Sequence, residues 1–154
     1  MLPKSKTRVQ ENTPDEINQQ IQQDIEDRVR MYSCACPELI ERRLEELDAE
    51  WDIERTLEAN AATIGLTSLL LGLTWKKSLL AIPVVVTGFL LQHALQGWCP
   101  PIAIFRRRGV RTRGEIEQER QALKALRGDY QDLQPVGECH RTDDVMPYVE
   151  AARR

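Results

Sequence analysis

The sequence predicts an all-α membrane protein, a two-span transmembrane helical hairpin with amphipathic cytoplasmic helices. Two observations predict it. The apolar runs Ala61 to Trp75 and Leu79 to Trp98 are separated by little more than Lys76 and Lys77, and a span of a roughly 30 Å hydrocarbon core needs about 17 to 25 mostly apolar residues. The rest of the 154 residues is strongly polar, so the mean hydropathy of -0.45 averages away the one decisive segment. A large soluble core is not expected. A net charge of -3 without a basic stripe of interleaved aromatics excludes a nucleic-acid partner.

Composition divides the chain into 1–36, a polar segment with one amphipathic helix; 37–58, a charged amphipathic helix leading into the membrane; 59–100, the hairpin; 101–128, a basic connector and short helix; and 129–154, an extended or disordered tail. Residues 1 to 12 are polar without periodicity, and Met1 to Asp15 hold no apolar run of the kind a cleaved leader needs. Thr13-Pro14-Asp15-Glu16 is a helix-start signal, with Thr13 as cap, Pro14 in the first turn and Glu16 at capping-box spacing. Ile17, Ile21, Ile25 and Val29 then form a narrow apolar stripe that ends at the Tyr32 to Pro37 break.

A second helix is expected from Pro37 through Glu58 and straight on into the first span. Ile40, Leu44, Leu47 and Trp51 alternate at spacings of four and three, a cytoplasmic docking stripe for the first helix or another subunit. Its acidic excess argues against lying flat on anionic lipid.

In the spans, Ala61 and Gly65 stand at small-xxx-small spacing, with Gly72 and Gly88 further along. Small residues let helices approach closely in lipid, either within the hairpin or between subunits. Trp75 and Trp98 suit opposite membrane interfaces, and Pro83 falls near the start of the second span, where its missing N–H costs least. Pro100 and Pro101 are expected to end the second helix. Arg106, Arg107 and Arg108 read as a membrane-interface anchor against anionic headgroups. Basic residues near the span ends, weighed against Lys76 and Lys77 in the loop, place both termini in the cytoplasm. Beyond the Gly109 to Gly114 connector, a helix from Glu115 to Arg127 carries Ile116, Leu123 and Leu126 on a broken stripe, and Gly128 stops it.

Chemistry-bearing motifs are sparse. His93, beside Gln92, is ionisable within a span, a feature that marks functional sites by default, but it lies near enough to Trp98 to sit neutral and hydrogen-bonded at the interface. Cys99 neighbours the arginines and is the better reactive thiol, against a packing cysteine as the plainer reading. Cys34 and Cys36 with Cys139 and His140 hold poor zinc spacing, and no metal or other cofactor is expected. Hydrolase triads, phosphate loops and HExxH sequences are absent, so no catalytic residue and no enzyme is predicted.

Gly97-Trp98-Cys99-Pro100, preceded by Gly88-Phe89 and followed by Arg106 to Gly109, resembles the ending of the bacterial YgaP-like inner-membrane hairpin domain family over residues 53 to 110. The resemblance implies a small, multi-pass inner-membrane protein, homo-oligomeric, with no established reaction of the domain alone. Some members carry a sulfur-moving rhodanese domain, for which this chain has neither room nor the active-site loop. The expected partners are the lipid bilayer and either further copies or a larger membrane complex, with the protein a scaffold or accessory subunit. A thiol carrier using Cys99 and an oligomeric small-solute conduit lined by Gln92 and His93 are the alternatives.

Overall fold

Apolar patterning and chain breakers set the element order. The computed structural model describes Lys4 and residues 7–131, and every described element is helical: α1 (Arg8–Glu11), α2 (Asp15–Tyr32), α3 (Pro37–Ala49), α4 (Ile53–Thr74), a 3-10 turn (Lys77–Leu80), α5 (Ala81–Gln96), α6 (Pro100–Arg107) and α7 (Arg113–Arg127). The 129–154 tail expected from composition lies outside the described residues from 132 onward, as do Cys139 and His140.

Two helical stretches, one ending at Thr74 and one covering Lys77–Gln96, are long and apolar enough to cross a membrane. Only 22% and 6% of their most apolar windows are buried within the chain, whereas the core helix of a soluble protein would be mostly covered. Leu66, Leu70, Leu73, Val84 and Leu91 are more than half exposed. This belt makes the hairpin suited to lipid contact.

The helix expected to run unbroken from Pro37 into the span is two helices. It stops at Ala49, and Asp52, in an extended conformation, restarts it by accepting a hydrogen bond from Arg55 N at 2.8 Å. Trp51 falls in that break, half exposed, with the Arg55 guanidinium 4.4 Å above its ring. It therefore leaves the stripe formed by Ile40, Leu44 and Leu47.

The second helix of the hairpin ends earlier than its prolines suggest. Gly97 closes α5 in the left-handed region, φ 76°, with its N–H on His93 O. Pro100 and Pro101 then begin α6 rather than end α5, because proline's fixed φ and missing N–H suit a first turn.

The described chain forms two compact units. One contains the residues up to Asp24 with Glu50–Ile116, and the other Ile25–Ala49 with the residues from Glu117. In the first, α4 packs on α5, on the 3-10 turn and on α6, around a core of Val9, Ile53, Leu57, Cys99 and Ile102. Fully burying a valine, leucine or isoleucine side chain of this kind contributes about 1.5 to 3 kcal/mol. In the second, Ile25, Ile40, Leu44, Leu47 and Leu123 are buried. There the fully buried Glu119 accepts from Arg28 Nε at 3.1 Å and Arg43 Nε at 2.9 Å, tying α2, α3 and α7 together. The Ile40-Leu44-Leu47 stripe is thus used inside the chain and is not a free docking face. Leu126, expected on the apolar side of α7, is 43% exposed, and Glu119 and Lys124 are buried instead.

Candidate functional site

The hairpin base of the first unit concentrates the buried polar groups. At the end of α5, His93 is 4% exposed and its Nε2 lies 2.7 Å from Glu54 Oε2 on the first turn of α4. A carboxylate accepts, so Nε2 carries the proton in this pair. The other carboxylate oxygen takes a 2.9 Å bond from Arg8 Nη2, whose Nη1 donates to Ala94 O. Each oxygen of the Glu54 carboxylate thus has its own donor, His93 on one side and Arg8 on the other. His93 Nδ1 is buried and has no hydrogen-bond partner among the described residues.

The short helix α1, not expected in a stretch without periodicity, clasps this end. Val9 enters the core, and Asn12 Nδ2 donates to Gln96 O at 2.9 Å. A Cβ on Gly97 would stand 2.6 Å from Arg8 O, so the glycine allows both the left-handed turn and the close approach of α1.

A second polar cluster lies around α6. Arg106 is 1% exposed and donates to Glu115 Oε2 at 2.7 Å and Oε1 at 2.8 Å, to Asn18 Oδ1 at 2.9 Å and to Val110 O at 3.2 Å. Its Nε donates to Thr13 Oγ1 at 3.3 Å. Arg106 is therefore an internal brace and not a headgroup anchor, while Arg107 and Arg108 are exposed. Thr13 does not act as the expected cap, because its hydroxyl turns back to Val9 O.

Glu115 also closes a capping box. Thr112 N donates to Glu115 Oε2 at 2.7 Å, and Glu115 N donates to Thr112 Oγ1 at 3.3 Å. The helix therefore starts at Arg113 and not at the expected Glu115, and the Thr112-x-x-Glu115 spacing is the sequence signal that could have placed it there. Burial pushes the Glu115 carboxyl up, but the bonds from Arg106, Thr112 and Gln10 outweigh it and hold the carboxyl below the usual range.

The sequence-expected residues separate accordingly. Cys99 is 1% exposed in the core, whereas Cys34 and Cys36 are exposed. Trp75 and Trp98 follow α4 and α5 respectively, and both are exposed. Gly72 packs against Leu80 and Ala61 is buried, but a Cβ on Gly65 or Gly88 would meet nothing within 4 Å. Those two glycines are not at the contact between the hairpin helices. Arg8, Glu54 and Asn18 were missed as partners because their pairings join distant segments, and Glu115 because it meets Arg106 only once the chain turns at Gly109. No family model, curated protein or solved structure matches the chain.

Proposed function

We propose that this is a non-enzymatic two-span protein of the bacterial inner membrane, of the YgaP-like hairpin type, with both termini cytoplasmic, acting as a self-associating scaffold or as an accessory subunit of a larger membrane complex. The observation that carries the reading is the exposed apolar belt of α4 and α5, which needs lipid or neighbouring spans to cover it. Support also comes from the base: Arg106 with Glu115, Arg111 with Glu50 and Arg8 with Glu54 and His93 are engaged with one another. Groups held this way brace helices. Gly65 and Gly88, open on the belt, are the points where another span can approach closely.

The thiol-carrier reading is disfavoured by the burial of Cys99, since a nucleophilic thiol must be reached by its partner. The conduit reading is disfavoured by the engagement of His93 with Glu54 inside the chain.

The test is extraction from native membranes in a mild detergent, followed by measurement of intact mass and composition. A defined complex with other proteins, or a homo-oligomer that Gly65→Leu weakens, is the expected result. A monomer free of other proteins, unchanged by that substitution, would overturn the scaffold reading.

A further inference from the structure

Three helices of the first unit leave an apolar groove at the base of the hairpin. It holds about 150 Å³ and is lined by Leu57, Ala61 and Ile64 of α4, Phe89 of α5, and Pro101 and Phe105 of α6. A cavity of about this volume admits an apolar group the size of benzene. Ile64 and Phe89, on its open side, are 51% and 39% exposed and belong to the same belt that suits lipid. Pro101 and Phe105 of α6 and its C-cap Arg108, whose N–H still bonds Ile104 O, follow at i, i+4 and i+7, one face of a helix. Arg108 is exposed and makes no ion pair among the described residues, in contrast to Arg106 two residues earlier.

We propose that this groove seats one acyl chain of an anionic phospholipid whose phosphate is held by Arg108. The inference rests on the membrane placement above and not on the scaffold role. Charge complementarity selects the occupant. The apolar walls take hydrocarbon, and the exposed Arg108 cation at the C-cap of α6, one turn beyond Phe105 of the groove lining, takes the phosphate. A second copy in the groove would bring its own Arg107 and Arg108 to the same depth, where like charges repel.

The experiment uses the full chain in detergent micelles, with phosphatidylglycerol and phosphatidylcholine of matched acyl chains added at equal concentration and bound lipid read by native mass spectrometry. The expected result is about fivefold greater retention of phosphatidylglycerol, the effect of one surface cation on an anionic lipid. Arg108→Gln should abolish that preference. Arg107→Gln, roughly 100° round the helix, should leave it intact. Ile64→Trp, which fills the groove from an exposed position, should lower retention of both lipids, with unchanged circular dichroism reporting an intact fold. Equal retention of the two lipids, an Arg108→Gln variant that behaves as the parent, or a dimer that Ile64→Trp dissolves would each overturn the proposal. Alkaline extraction of vesicles carrying the protein separates the two levels: a chain that washes off overturns the membrane placement as well, whereas an inserted chain without lipid preference overturns the groove alone.

Discussion

Arg106 and Glu115, nine residues apart, meet through two parallel hydrogen bonds, Nη1 to Oε2 at 2.7 Å and Nη2 to Oε1 at 2.8 Å, with both side chains at most 5% exposed. The pair locks α6 to the first turn of α7 across the Gly109 turn. Breaking a buried pair by removing one partner costs about 3 to 5 kcal/mol, because the remaining charge is uncompensated. Glu115→Gln should therefore destabilise the chain by about that amount in chemical denaturation followed by circular dichroism. Replacing both partners, as Arg106→Met with Glu115→Leu, should recover much of the loss. A Glu115→Gln protein as stable as the parent would show the pair to be dispensable.

The same carboxylate gives the protein an acid-sensitive point. The folded Glu115 ionises below the ordinary glutamate value of about 4.3, so folding favours its charged form. Its contribution is fully present above that ordinary value and is lost as pH falls through the lowered folded one. Stability of the detergent-solubilised protein should decline on acidification below about pH 4. Glu115→Gln should flatten part of that decline. A parent whose stability rises over this interval would contradict the sign.

The hairpin was legible in the sequence because hydropathy over twenty residues is a local property. The stripes of α2 and α3 were legible for the same reason, and Ile21, Ile25, Ile40, Leu44 and Leu47 are indeed buried. Arg106 was not. Three successive arginines on a helix point roughly 100° apart, so one can enter the interior while its neighbours face solvent, and which one does so depends on Asn18 and Glu115 arriving from elsewhere. The Glu54 pairing with His93 spans 39 residues and has no local signature. The break before Asp52 and the Thr112 capping box did have one, a cap residue followed by a first-turn glutamate; helix formers on either side concealed the first, and Gly109 and Gly114, which read as a connector, concealed the second.

Gly97 separates a conformational requirement from a packing one. Gly97→Ala demands a positive φ of a residue with a Cβ and drives that atom to 2.6 Å from Arg8 O, so it should cost more than about 1 kcal/mol and release α1 from the end of α5. Gly88→Ala meets open space at an ordinary φ and replaces glycine inside a helix, so it should be neutral or mildly stabilising. Hydrogen exchange of the Arg8–Glu11 amides reads the first effect, and thermal unfolding reads both. Equal behaviour of the two variants would remove the clasp as the explanation for Gly97.

The thiols offer a direct check on the core. Cys34 and Cys36 are exposed in the turn between α2 and α3, while Cys99 packs with Val9, Ile53, Leu57 and Ile102. A thiol must become both accessible and ionised to be alkylated, so Cys99 can react only when the hairpin base opens. In the native state its labelling, followed by peptide mass mapping, should lag far behind that of Cys34 and Cys36, and denaturant should erase the difference. Glu115→Gln should speed Cys99 labelling if its destabilisation reaches the hairpin base, because the Arg106 that it leaves unpaired sits on the same short helix as Ile102. Native Cys99 labelling as fast as that of Cys34 would mean that the base is open, and the core drawn around Ile53 would have to be abandoned.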